Sequence, residues 1–279
     1  MTGRILSYQH LIAFRENLIL EEKSSATIEK YLRDATGFMK FAAGREITKE
    51  ISLAYKQELQ KKKYAVRSIN SMLASVNSLF VFLEWMGCKV KALRYQRQTY
   101  CAEKQELSKT EYVRLLEASR SQEQLYLVLQ TICSTGIRVS ELKYFTVEAV
   151  RRGIITVQCK NKTRTILVPG KLKKLLLCYA RGCHIKYGKI FVTRSGKPID
   201  RSRIWAKMKR LCSAAGVDPA KVFPHNLRKL FARTFYKIEK DIAKLADILG
   251  HSSINTTRIY IMTTATEHRR KIERLGLVV

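Results

Sequence analysis

The sequence predicts a mainly α-helical protein with one small β-hairpin, divided into an N-terminal helical domain and a larger α+β domain. Three observations carry this. Apolar residues recur at helical spacing through roughly the first ninety positions, and all four prolines (169, 198, 219 and 224) lie in the second half. Residues 89–106 are polar and basic and have no clear period. Between Gly153 and Pro169 the apolar period changes from helical to alternating.

In the first domain, residues 1–88, Leu11, Phe14 and Leu18 keep helical spacing. Ser24 and Ser25 are suited to cap a helix carrying Ile28, Tyr31, Leu32, Ala35, Phe38 and Phe41, with Gly44 ending it. A third helix runs through Ile51, Leu53, Tyr55 and Leu59. A fourth carries Ile69, Leu73, Val76, Leu79, Phe80 and Leu83, with Gly87 as its expected C-cap. Residues 89–106 read as an interdomain linker, and 107–279 as the second domain. There Ser108, with Glu111 three residues on, has the pattern of a capping box. Helices are expected through Leu125–Ile132, Ser140–Phe145, Lys171–Tyr179 and Ser202–Ala214. Ile155 and Val157, then Thr165 and Leu167, alternate around the polar centre Lys160-Asn161-Lys162-Thr163, which reads as a hairpin with a basic tip. Pro224 is placed to start a helix with His225 and Arg228, and Asp241 to cap Ile242–Leu249, closed by Gly250. Past Tyr260, the residues Ile272, Leu275 and Val279 form one apolar stripe on a basic terminal helix.

The charge narrows the function. Lys+Arg number 53 against 23 Asp+Glu, a formal net charge of +30 over 279 residues. So large an excess repels itself in the folded state and calls for a polyanionic partner, nucleic acid first. A membrane partner is the weaker reading, because no apolar run approaches the roughly 20 residues of a spanning helix. The N-terminal Met1-Thr2-Gly3-Arg4 lacks the apolar core of a signal peptide, so a cytoplasmic protein of a bacterium or mobile element is expected. The cysteines, at 88, 101, 133, 159, 178, 183 and 212, are odd in number and include no Cys-x-x-Cys pair. Reduced, mostly buried thiols fit better than a disulfide framework or a zinc site, and neither metal nor cofactor is expected.

One ordered set of residues carries chemistry. Thr135-Gly136-Ile137-Arg138-Val139-Ser140-Glu141-Leu142 is followed by the hairpin with Lys160, then Pro224-His225-Asn226-Leu227-Arg228, then Leu249-Gly250-His251 and Tyr260. An isolated His-x-x-Arg is usually surface decoration, and a lone tyrosine is usually a packing residue. Together, two guanidiniums to hold non-bridging oxygens, a tyrosine to attack phosphorus, and a lysine and histidines to move protons form a set able to break a phosphodiester without metal.

On these motifs the chain resembles the tyrosine recombinase (phage-type integrase) family, and in size and layout its Xer-like simple recombinases. The resemblance covers nearly the whole chain and is strongest from 107 to 265. It implies catalytic roles for Arg138, Lys160, His225, Arg228, His251 and Tyr260, with Glu141 in support of Arg138 or else on a helix surface. The hairpin departs from the family pattern: Cys159-Lys160-Asn161-Lys162-Thr163-Arg164 is one residue short, leaving Lys162 as the alternative to Lys160. Lys229 stands where the family often has histidine, and Arg233 where a small hydroxyl residue is common. Neither change removes a catalytic group.

The implied reaction is attack by Tyr260 on a backbone phosphate, giving a 3′-phosphotyrosyl bond and a free 5′-hydroxyl. A 5′-hydroxyl from a partner duplex then reverses the step, so no ATP is needed. Arg138 and Arg228 would stabilise the phosphorane, Lys160 would protonate the leaving oxygen, His225 would take or relay the tyrosine proton, and His251 would donate to a phosphate oxygen. Lys162 and Arg164 would lower the pKa of Lys160 and are possible DNA contacts, as are Lys61, Lys62 and Lys63. The four N-terminal helices would be the family's SAM-like core-binding domain, closing over the duplex as a clamp, with no room before them for the arm-binding domain of larger phage integrases. The implied partners are double-stranded DNA with an inverted-repeat core site and three further copies of the chain, joined through the terminal helix; that helix packing on its own domain is the plainer alternative. Three other functions compete: a relaxing topoisomerase, a catalytically degenerate DNA-binding repressor or architectural factor, and a basic RNA binder.

Overall fold

The computed structural model describes residues 3–94, 106–159, 162–193, 195–262 and 265–277. The chain forms two compact units, one up to residue 97 and one from residue 98. Apart from one hairpin, the regular elements among the described residues are helices.

The first unit packs α1 (Tyr8–Leu20), α2 (Ser25–Ala42), α3 (Lys49–Lys61) and α4 (Val66–Phe82) around Phe14, Leu18, Phe38, Leu79 and Phe80, all wholly buried. The helical period decides which side chains go inside. On α3, Tyr55 and Leu59 are buried four residues apart, while Leu53 of the same helix is turned to solvent. Gly87 does not cap α4. The helix ends at Leu83, Glu84 takes the left-handed conformation (φ +58°), and Gly87 falls in a short 3₁₀ turn, Met86–Cys88. Lys61 ends α3, and Lys62 and Lys63 continue into an exposed turn, with Lys62 3.3 Å from Glu58.

In the second unit the order is α5 (Lys109–Ala118), α6 (Glu123–Thr135), α7 (Val147–Arg152), β1 (Ile154–Cys159), β2 (Lys162–Leu167), α8 (Gly170–Gly182), α9 (Arg201–Ala215), α10 (Pro224–Glu239), α11 (Ile242–Leu249), α12 (Ile254–Tyr260) and α13 (Ala265–Glu273). Ser108 and Glu111 make the reciprocal bonds of a capping box at the start of α5, 3.1 and 2.8 Å long. The core gathers α6, α8, α9 and α10 around Leu129, Ile132, Phe145, Leu176, Met208 and Leu227. Glu106, where the described chain resumes, is ion-paired with Arg233 of α10.

Two local differences from the sequence reading shape the site. The expected helix at Ser140–Phe145 is a 3₁₀ turn, Val139–Tyr144, tightened where the Glu141 N–H bonds the Arg138 carbonyl. The hairpin pairs Ile155 with Ile166 and Val157 with Arg164. Ile166 is therefore the buried residue of β2 and Leu167, expected on the apolar face, is 73% exposed. Arg164 lies on the same inward face as Val157. The five cysteines whose side chains are described, at 88, 133, 178, 183 and 212, are free thiols. Among the described residues no helix is long and apolar enough to cross a membrane.

Candidate active site

The site is built where α6 ends. Gly136 closes that helix with φ +64°, and a Cβ there would stand 2.3 Å from Cδ1 of Phe231 on α10. Only glycine meets both demands. Arg138 then caps the 3₁₀ turn, and Glu141 folds back onto it. The buried carboxylate accepts from the Arg138 main-chain N–H (2.7 Å) and from its guanidinium (3.0 Å). The oxygen that takes the main-chain N–H, Oε2, also meets Arg164 at 2.5 Å. Glu141 thus holds two arginines, and its two oxygens accept three hydrogen bonds between them.

A second anchor is the C-terminal end of α11. Its last carbonyls have no partners within the helix, and they carry the negative end of the helix dipole. Three arginines fill them in sequence. Arg164 donates to the Ile248 carbonyl, Arg228 to Leu249 (2.6 Å) and Arg138 to Gly250 (3.3 Å). Gly250 closes α11 at φ +64°, and the main-chain N–H of His251 bonds back to Ala246 at 3.0 Å. This explains how three like charges share one site: each has helix carbonyls, and two also have Glu141.

Arg228 lies three residues along α10 from His225, but the two differ in exposure. His225 is open to solvent, whereas Arg228 is 1% exposed. Besides Leu249, the Arg228 guanidinium donates to the Gly136 carbonyl (2.5 Å) and to Nε2 of His251 (3.0 Å), and its buried Nε has no partner. Burial, with Arg138 nearby, pulls its pKa down to about 10, leaving it charged near neutral pH. Burial is also the main influence on both histidines, helped by neighbouring cations: His225 is lowered, and His251 is lowered to about 4. Both rings are therefore neutral near pH 7.

Tyr260 is the last residue of α12. Its ring is buried against Ala232, Leu245 and Leu249 and stands edge-on to two imidazoles, His225 at 5.1 Å and His251 at 5.0 Å. Packing thus fixes the ring against both imidazoles. Arg138, Glu141, His225, Arg228, His251 and Tyr260 all meet in one protomer. Lys160 lies outside the described residues. Lys162 begins β2, opposite Cys159. Lys61, Lys62 and Lys63 belong to the first unit.

The structure gives Arg164 a different use from the DNA contact expected of it. Pleating turns it inward, onto Glu141 and α11. The alternation of β2 held this signal, since Ile166 shares its face. Sequence reasoning also passed over Thr257. It is wholly buried, one helical turn before Tyr260, with its hydroxyl 2.9 Å from Nδ1 of His251. A tyrosine ring edge-on to two neutral imidazoles, with guanidiniums close by, suits nucleophilic displacement at phosphorus.

Comparison with known proteins agrees. The sequence profile described as "Phage integrase family" matches residues 105–267, and that of "Phage integrase, N-terminal SAM-like domain" matches residues 11–87. The chain is 29% identical to tyrosine recombinase XerA of Pyrococcus furiosus over 286 aligned positions, which cover 100% of this chain and 98% of that protein. A crystal structure of XerA recombinase superposes with a TM-score of 0.54 at 27% identity, over 96% of this chain and 98% of the other. A lambda integrase tetramer bound to a Holliday junction gives a TM-score of 0.73 at 17% identity, over 93% and 78%, and so speaks for the fold.

Proposed function

The chain belongs to the phage integrase family, and from that membership we propose that it is a site-specific tyrosine recombinase, cutting and rejoining duplex DNA through a 3′-phosphotyrosyl intermediate. The observation that carries this reading is the Tyr260 ring held edge-on between His225 and His251, with His251 bonded to Arg228.

In the cleavage step the Tyr260 oxygen bonds to phosphorus, the bond to the 5′-oxygen breaks, and the tyrosine proton passes to His225. That imidazole is exposed and neutral, as an acceptor must be. Lys160 gives a proton to the leaving 5′-oxygen, with Lys162 as the alternative. Arg138, the more accessible of the two motif arginines, meets the phosphate oxygens, and Arg228 acts from beneath it. Glu141 orients Arg138. His251 has a different part from the phosphate donor expected. Its Nε2 accepts from Arg228 and has no proton to give, so its part is to orient that guanidinium. In the joining step a 5′-hydroxyl attacks the phosphotyrosine, His225 returns its proton to Tyr260 and the deprotonated Lys160 takes one from the hydroxyl.

The finer features belong to the same reading. Residues 1–88 act as the DNA-binding module with Lys61, Lys62 and Lys63 near phosphates, 89–106 as a linker and 107–279 as the catalytic domain. The protein works in the cytoplasm on a core site of inverted repeats. Four protomers hold two duplexes, as the lambda integrase structure on a Holliday junction suggests by analogy. Ile272 and Leu275 on the terminal segment are exposed, which supports docking of that segment on a neighbouring subunit.

A DNA site nicked near the scissile phosphate tests the proposal, because the short released strand diffuses away and traps the protein. A detergent-resistant, protease-sensitive protein–DNA adduct is expected. Specific binding without any adduct would instead mark a non-catalytic DNA-binding protein.

A further inference from the structure

His251 is held from both sides, and the geometry fixes where its proton lies. On one side the Arg228 guanidinium stands 3.0 Å from Nε2. A guanidinium can only donate, so Nε2 accepts. The proton of the neutral ring is then on Nδ1 and is donated to the Thr257 hydroxyl, 2.9 Å away. Burial and the surrounding guanidiniums, which pull His251 down to about 4, keep the ring in the neutral form this chain of bonds needs.

Thr257 and Tyr260 are three residues apart on α12, on the same face. Tyr260 packs its ring against the imidazole that Thr257 bonds. Only when α12 is seated does His251 have an acceptor for Nδ1–H. Without one, a half-buried donor is left unpaired and the ring has no reason to keep its orientation. Arg228 would then lose one of its bonds, next to a Nε that already has none.

We propose that Thr257 is a positioning residue: through His251 it makes the orientation of Arg228 depend on the seating of α12, so that the phosphate clamp and the nucleophile come into place together. A subunit whose α12 is withdrawn thereby lacks its nucleophile and the full clamp at once. The Thr257–His251–Arg228 chain is a property of the fold, while its consequence for cleavage rests on the recombinase function proposed for the site.

The test uses the full-length protein with Thr257→Val, which keeps the branched shape and removes the hydroxyl, and Thr257→Ser, which keeps the hydroxyl. Imidazole nitrogen resonances report the His251 tautomer without DNA. Wild type and T257S should show one tautomer, protonated at Nδ1, and T257V a mixture. On a nicked site T257V should form adduct about tenfold more slowly, while T257S stays within about threefold of wild type. In a His251→Ala background the T257V change should cost less than about twofold, because the bond it removes is already gone. The proposal is overturned if T257V keeps the single Nδ1–H tautomer and wild-type cleavage, or if the tenfold loss persists without His251, which would make Thr257 a packing residue only. Should T257V not fold, Thr257→Ala takes its place with the same outcomes. If wild type itself forms no adduct, the recombinase reading fails, and the tautomer comparison still decides the Thr257–His251 bond.

Discussion

Arg228 donates to Nε2 of His251 across 3.0 Å, so a buried guanidinium and a half-buried neutral imidazole act as a unit. A charged His251 could not accept that bond, and it would add a cation beside three arginines.

The pairing sets a pH dependence of stability. The His251 pKa falls from its ordinary 6.5 to about 4 in the fold, and that of His225 is lowered too. As pH falls from 6.5, the unfolded chain takes up the proton first, so stability declines between 6.5 and about 4 and this contribution levels off below that. Above 6.5 both states are neutral and the group adds no slope. His251→Gln can still accept from Arg228 and donate to Thr257 without titrating. Thermal midpoints measured across this window should therefore fall less steeply in H251Q than in wild type. Equal slopes would show that His251 is not held neutral.

Arg164 should matter for the fold and the site but little for DNA affinity. Arg164→Ala strips one of two cations from buried Glu141 and one donor from the end of α11, and should lower unfolding free energy by about 2–4 kcal/mol in urea titrations. Arg164→Lys should recover little, since one ammonium does not reproduce the planar guanidinium that spans Glu141 and Ile248. The salt dependence of DNA binding should be unchanged in both. A slope reduced by about one would mean that Arg164 meets a phosphate after all.

The leaving-group acid is assigned by substrate chemistry. Lys160→Ala should fail on ordinary DNA and recover on DNA with sulfur at the 5′-bridging position, because a thiolate departs without a proton. Lys162→Ala should cleave ordinary DNA nearly as wild type does. Rescue of the Lys162 variant in place of the Lys160 variant would move the role two residues along the hairpin.

Much of this site is legible in the sequence alone. Gly136, Pro224, Asp241 and Gly250 are stop and start signals whose physics is local, and they put Arg138 and His251 just past helix ends and Arg228 in the second turn of α10. What is not legible depends on which way a side chain turns at long range. The hairpin's apolar pattern is ambiguous between Ile166 and Leu167, and only the pairing with β1 turns Arg164 inward. The burial of Arg228 beside exposed His225 comes from α10 lying against α6, which no local spacing encodes. Thr257 stands in a polar run, Asn255-Thr256-Thr257-Arg258, where nothing distinguishes a wholly buried threonine from its exposed neighbour Thr256.

The terminal segment should separate assembly from binding. Truncation after Thr266 removes the exposed Ile272 and Leu275. The shortened protein should remain folded and bind its site as a monomer, with no synaptic complex and no recombinant product in sizing and strand-exchange assays. Recombination at the wild-type rate would show that the segment does not join subunits.

The central claim, that Tyr260 attacks DNA, has a direct measurement: peptide mapping by mass spectrometry of the adduct trapped on a nicked site, for wild type and Tyr260→Phe. The phenylalanine variant keeps the ring between His225 and His251 and lacks the attacking oxygen, so it should bind the site with unchanged affinity and form no adduct. Wild type should carry its nucleotide remnant on the peptide containing Tyr260. An adduct in Y260F, or a wild-type remnant on any other residue, would contradict the account.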